Sequence, residues 1–240
     1  MNEKVLEQLV PAGVLRVGVN MANFLLIDAT SDEIDGVSPS VAKALARTLG
    51  VEVSLVPFKG PGEVADAAAD DVWDIANIAA EPERAKTITF SSPYCEIQAT
   101  YLLPEGSKIQ SVAEVDKAGC RIAVKNRAAY ELWLTDNLQH ATLVKEASHE
   151  TAFDAFVRDS LDALAGLRPK LNEQQQSLPG SKVMSDSFTA VKQSIGCKPG
   201  NPEAAAFVDA FVRESVSNGL VQSIIDKYQV TGKLSVATLR

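Results

Sequence analysis

Apolar residues along the chain recur at two alternating periods. The segment Val14-Leu15-Arg16-Val17-Gly18-Val19 is rich in β-branched residues and follows Pro11-Ala12-Gly13, so it predicts a strand. Residues 21–36 show no clear period and predict a loop, with room for a hairpin. Ser38-Pro39 then predicts a helix start, Ser38 as the cap and Pro39 in the first turn, where no N–H partner is needed. Val41, Leu45 and Leu49 share one face of that helix, and Gly50 ends it. Residues 51–56 alternate and predict a strand, 62–70 a helix, 73–76 a short buried strand, and 88–90 a short extended piece. Ile97 to Leu103 predicts a longer strand that stops at the turn Pro104-Glu105-Gly106-Ser107.

The rhythm then repeats. Residues 111–117 predict a short helix, 121–124 a strand, 128–138 a helix, 141–145 a strand and 149–158 a helix with Ala152, Phe153, Phe156 and Val157 on its inner face. Residues 161–165 predict a buried strand, and 188–195 an extended run. Asn201-Pro202 opens a helix that ends at Gly219, and Val221, Ile224, Ile225 and Tyr228 mark a last one. Alternating strands and helices predict parallel sheets covered by helices. Two rounds of the rhythm, meeting near residue 105, predict two α/β lobes, with the final helices, which no strand is expected to follow, packed back on the first.

Composition narrows the class. The 240 residues are 46% hydrophobic and 22% charged, as in a globular protein. Thirty-one acidic against 23 basic residues give a net charge of −8, which disfavours binding to a phosphate backbone, so no nucleic-acid partner is expected. No apolar run approaches the ~20 residues needed to span a bilayer. Cys95, Cys120 and Cys197 are odd in number and far apart, which fits neither a zinc site nor a disulfide framework; buried free thiols are expected, with one pair still open in an oxidising compartment. The start, Met1-Asn2-Glu3-Lys4-Val5, has no charged stretch followed by an apolar one. The expectation is either a leader already removed or a chain that stays in the cytoplasm. His140 and His149 lie nine apart without metal-ligand spacing, and no phosphate-binding loop, dinucleotide fingerprint or nucleophile elbow appears. No cofactor or metal is expected.

The most informative stretch runs Trp73-Asp74-Ile75-Ala76-Asn77-Ile78-Ala79-Ala80-Glu81-Pro82-Glu83-Arg84 and ends Phe90-Ser91-Ser92-Pro93-Tyr94. It resembles the family-3 extracellular solute-binding proteins, receptors of polar amino-acid ABC importers. Leu15 to Val19, Val41 to Ala46, Ser111 to Val115 and Asp162 to Gly166 extend the resemblance over nearly the whole chain. It implies an α/β, two-lobed, type II periplasmic-binding-protein-like fold with two hinge strands. Lobe 1 would hold 1–104 plus 192–240, and lobe 2 would hold 105–191. The ligand would sit in the inter-lobe cleft, the location would be periplasmic or extracellular, and the partner would be the importer's membrane permease.

The resemblance also assigns residues. Arg84 matches the arginine that grips the ligand's carboxylate through its planar two-pronged guanidinium. The plain alternative is a surface arginine paired with Glu81 or Glu83. Three positions depart from the family's pattern. Ala79 and Glu81 stand where hydroxyl residues are usual. Arg127-Ala128 replaces the Gly-Thr/Ser pair at a helix start, which loses a hydroxyl but keeps backbone N–H groups. Leu167, followed by Arg168, occupies the place of the aspartate that pairs with the ligand's ammonium. An ammonium enclosed without a partner loses several kcal/mol of hydration. The expected ligand is therefore either an amino acid whose amine meets Glu81 or Glu96 instead, or an acid without the amine, held by Arg84 and Arg168. At the mouth of lobe 1, Asn23 and Phe24 stand where the family often has an aromatic shelf, and Phe24 and Leu26 read equally well as core. Phe188 and Gln193 are weaker candidates. Two other functions stay open. Cyclohexadienyl dehydratases look like this family, so an enzyme with Glu81 or Glu96 as general acid is one. A cytoplasmic solute sensor is the other.

Overall fold

The computed structural model describes residues 3–30 and 32–239. Met1 and Asn2, on which part of the leader reading falls, lie outside them. The chain forms two compact units. One comprises the chain up to Glu96 and from Lys192 onward, and the other is Ile97–Val191. Among the described residues no helix is long and apolar enough to cross a membrane.

The first unit begins with α1 (Glu3–Leu9), β1 (Val14–Asn20), α2 (Val37–Leu49), β2 (Glu52–Phe58), α3 (Pro61–Asp66), β3 (Ile75–Ala79) and β4 (Thr89–Phe90). β1 lies between β2 and β3 and is parallel to both, with Val17 opposite Leu55 on one side and Ile75 on the other. Arg16 clamps β1 to the turn before β3. Its Nη2 donates to Asp74 Oδ1 at 2.6 Å and its Nε to Asp74 Oδ2 at 3.1 Å, a two-pronged pair on a buried carboxylate. Trp73 packs beside Val64, Ala67, Ala76, Ile78 and Ile88, and its indole N–H donates to the Val64 carbonyl at 3.1 Å. This core holds the end of β3 in place.

α2 starts two residues earlier than a Ser38 cap implies. Gly36 is its cap residue, and the Ser38 hydroxyl is buried without a hydrogen-bond partner rather than capping. The reason lies in the loop before it, because Ser38 N donates to Leu26 O at 3.1 Å and so draws Ser38 into the helix. Pro39 still falls in the first turn, where its missing N–H costs nothing. Gly50 closes α2 in the left-handed conformation at φ 71°.

β5 (Cys95–Leu103) carries the chain into the second unit. There follow β6 (Arg121–Lys125), α4 (Ala129–Asn137), β7 (Thr142–Glu146), α5 (His149–Arg158), β8 (Ala163–Leu167), α6 (Arg168–Gln176) and β9 (Lys182–Val183). β6 is parallel to β7 and β8, whereas β5 is antiparallel to β8 and β9. The core joins Leu102, Ala123 and Leu164 of the sheet to Ala152, Ala155 and Phe156 of α5 and Leu171 of α6. α5 is capped at both ends of a reciprocal pair. Thr151 N donates to Ser148 Oγ and Ser148 N to Thr151 Oγ1, each at 3.1 Å. Val157 is 46% exposed, so it lies off the inner face of α5 on which its sequence spacing placed it.

β10 (Thr189–Cys197) returns to the first unit, followed by α7 (Pro202–Ser217), α8 (Leu220–Lys227) and β11 (Ser235–Val236). Two further expectations are corrected here. The sheets are mixed, because β10 runs antiparallel to β3 with Gln193 opposite Ala79. The final helices are also followed by a strand, since β11 pairs antiparallel with the first residues of β5, Ser235 opposite Glu96. α7 and α8 belong to the first unit. The three cysteines are buried and free.

Gly36 sits at φ 131°, a conformation that only glycine adopts easily. A Cβ there would press on Leu26 O and lie 2.8 Å from Asp28 N. Gly36→Ala is expected to lower the free energy of unfolding by about 2 kcal/mol or more, read as a fall in the urea midpoint.

Candidate functional site

In α/β sheets, ligand-binding groups collect where parallel strands end. In the first unit that edge carries Asn20, the last residue of β1, and Ala79, the last of β3. Arg84 follows in a short 3-10 turn, Arg84–Lys86. Ala85 N donates to Glu81 O at 2.9 Å and Ile88 N to Arg84 O at 3.0 Å, which fixes the turn against the strand. The Arg84 side chain does not lie on the surface. It is 4% exposed, and its Nη1 donates to Ala79 O at 2.9 Å. A buried guanidinium is tolerated only where acceptors meet it. The Ala79 carbonyl is one such acceptor. Glu83 pairs instead with Lys86. Glu81 is half-buried in the same loop.

Asn23 is buried, and it works for the backbone of its own loop. Its Oδ1 accepts from Leu25 N at 3.2 Å and its carbonyl from Leu26 N and Ile27 N at 3.0 Å. That turn lifts Phe24 to 40% exposure while Leu26 is buried. Phe24 is therefore not core, and Leu26 is. Glu96 is half-buried near the start of β5. Gln193 is buried on β10, and Phe188 packs on Tyr101 and Trp133 of the second unit at centroid distances of 4.6 and 5.5 Å.

In the second unit, Arg127 takes φ 59°. A glycine reaches this left-handed conformation without strain, and a side chain there costs about 1 kcal/mol. Arg127 N donates to Glu131 Oε2 at 2.9 Å. Glu131 is 1% exposed and fully engaged, with Lys145 Nζ at 2.6 Å and Thr135 Oγ1 at 2.7 Å on its other oxygen. Ala128 is the cap residue of α4 and supplies no side-chain acceptor. Leu167 ends β8, buried, directly before α6.

Arg168 is the first residue of α6, and its guanidinium is heavily committed. Nε donates to Gln98 Oε1 at 2.7 Å and Nη1 to Met184 O at 2.6 Å. Nη2 faces Ser185 O and Asp186 O, each at 3.0 Å, and Ser187 Oγ at 2.9 Å. Arg168 thus ties the 184–187 segment to β5 and α6. Sequence reasoning sees the charge but not these acceptors.

Three residues on the same edge escaped that reasoning. Lys125 ends β6, and Tyr130 and His149 lie in the first turns of α4 and α5. Tyr130 Oη lies 3.2 Å from His149 Nδ1. The available signal was positional, a charged residue immediately after a parallel strand.

Residues 15–231 match the profile of the bacterial extracellular solute-binding proteins, family 3, and the chain belongs to that family. Its fold is the two-lobed type II periplasmic-binding-protein fold. The chain is 25% identical to the L-cystine-binding protein TcyJ of Escherichia coli K12 over 205 residues, 82% of this chain and 74% of that one. It is 25% identical over 209 residues to the ABC transporter glutamine-binding protein GlnH of Bacillus subtilis, covering 85% and 76%. It is 27% identical over 168 residues to the cyclohexadienyl dehydratase of Pseudomonas aeruginosa, covering 68% and 62%. The ancestral amino-acid-binding protein AncCDT-1 shares the fold at a TM-score of 0.74 and 24% identity, over 93% of this chain and 98% of that one. These named relatives are mainly binding proteins.

Arg168→Ala removes four polar contacts to the 184–187 segment and one to Gln98. It is expected to cost about 2 kcal/mol of stability, measured by urea denaturation, with faster hydrogen exchange confined to 184–187 and α6.

Proposed function

We propose that this chain is the solute receptor of an ABC importer and captures a small carboxylate-bearing ligand, an amino acid or a related organic acid, without altering it chemically. The observation that carries the reading is the burial of Arg84 at the carboxyl end of β3, held by the Ala79 carbonyl. A guanidinium can donate to both oxygens of a carboxylate at once, and low local dielectric strengthens such a pair. The family supports a soluble ligand, a membrane permease as partner, and a periplasmic or extracellular location.

Each unit carries its own strand-end edge in this reading. The first contributes Arg84, the backbone at Ala79, Glu81, Asn23 and the exposed Phe24 ring as an apolar shelf, with Glu96 at the start of the crossing strand. The second contributes the α4 N-terminus at Arg127 and Ala128, and Leu167. Arg168 acts as a positioning residue, since its donors hold the 184–187 segment. The buried Leu167 offers an ammonium nothing, so amine-free acids rank with amino acids as ligands.

A thermal-shift screen of amino acids and small organic acids tests this. A true ligand raises the melting temperature with concentration and is recovered unchanged. Arg84→Lys keeps the charge but loses the fork, and is expected to weaken that ligand at least tenfold. Turnover of prephenate or arogenate, or an unaffected Arg84→Lys variant, would overturn the reading.

A further inference from the structure

Within the first unit, the chain between β1 and α2 carries Asn23 and the exposed Phe24 ring. Asn23 closes the turn under Phe24 through the loop's own backbone. Asp28 N donates to Asp35 O at 2.8 Å, which draws the returning half of the loop against the outgoing half. Leu25, Leu26 and Ile27 are buried and pull the loop onto the core. Apolar burial is non-directional. A fixed stand for the Phe24 ring therefore needs directional bonds from the loop to rigid elements.

Asp35 supplies them, because its two carboxylate oxygens reach different helices. Oδ1 accepts from Lys43 Nζ of α2 at 3.1 Å. Oδ2 accepts from the Tyr228 hydroxyl at 2.7 Å. Tyr228 is the residue on which α8 ends, 193 positions further along the chain. Its hydroxyl also lies 2.9 Å from Ser40 Oγ in α2 and accepts from Lys227 Nζ at 2.9 Å. Since the single phenolic proton goes to Asp35, Ser40 is the donor in its pair. One phenolic oxygen thus joins the loop, α2 and α8. Burial pushes the Asp35 carboxyl up, but the hydrogen bonds from Tyr228 and Lys43 outweigh it and leave the group below its ordinary value. Asp35 is therefore a carboxylate at neutral pH, and bonds to a charged acceptor are among the strong ones.

The anchor is coupled closely to the tip of the loop. Gly36 follows Asp35 at φ 131°, and a Cβ there would press on Leu26 O. Ser38 N donates to that same carbonyl at 3.1 Å. Little slack separates the Asp35 anchor from Leu26, which stands two residues after Phe24.

We propose that Tyr228 and Asp35 are positioning residues that set the stand of the Phe24 ring. The role of that ring as an apolar shelf rests on the reading of the chain as a solute receptor. Fluorescence of the full chain with Phe24→Trp as reporter tests the proposal without any ligand, the parent chain with Trp73 and Trp133 giving the background. Tyr228→Phe keeps the ring and deletes the hydroxyl, and Asp35→Asn keeps the shape and deletes the charge. Each is expected to raise iodide quenching of the reporter about twofold. Each should also speed hydrogen exchange at Leu26, Ile27 and Asp28 about tenfold while the α7 amides keep their rates. Val212→Ala, at a buried position of α7, is the control for lost stability. It should lower the urea midpoint and leave the reporter unchanged. Unchanged quenching or exchange in either variant, or an equal rise in quenching in Val212→Ala, overturns the proposal and leaves the receptor reading intact. If the reporter moves as expected but no amino acid or organic acid raises the melting temperature, the positioning stands and the receptor reading falls.

Discussion

Burying an arginine is costly, and this chain does so at Arg84. The guanidinium leaves bulk water, and a main-chain carbonyl from the end of β3 takes one of its donors. That arrangement needs β3 to stop at Ala79 and the following loop to fold back within five residues. The loop does so through the Ala85 N to Glu81 O hydrogen bond and the short turn after it. The strand end is fixed in turn by Trp73 and its apolar neighbours, and by the Arg16–Asp74 clamp at the strand's start. Local backbone geometry, core packing and a charged side chain meet at one place. This is the pattern expected where a fold has been spent on recognition rather than on stability.

The second unit shows the same logic with different residues. Arg127 accepts a left-handed backbone that glycine would adopt freely, and Glu131 stabilises the turn from inside α4. Arg168 binds the 184–187 segment instead of facing outward as a spare cation. Lys125 remains as the half-buried cation of this edge without an ion pair among the described residues. Leu167, buried at the end of β8, adds no charged group to this edge.

Much of the architecture was legible in the sequence. β-branched runs marked β1 and β6, Gly50 marked the end of α2, and the spacing of Ala152 and Phe156 marked α5. What was not legible has physical causes. α6 is polar along most of its length, with Leu171 as its buried anchor, so no apolar face announced it. β11 is two residues long and exists through pairing with β5, a partner far away in sequence. The antiparallel course of β5 and β10 depends on where the chain crosses between units, which local periodicity does not encode. At the site, Arg84 was legible through the motif around it. The engagement of Arg168 and the isolation of Lys125 were not, because a sequence shows charges without their acceptors.

The most direct measurement is a crystal structure of the protein with the acid that gives the largest thermal shift. The account predicts a ligand carboxylate with both oxygens about 3 Å from the Arg84 guanidinium, with the Ala79 carbonyl bond retained. A ligand carboxylate bound elsewhere, with Arg84 satisfied entirely by protein groups in the complex, would contradict it.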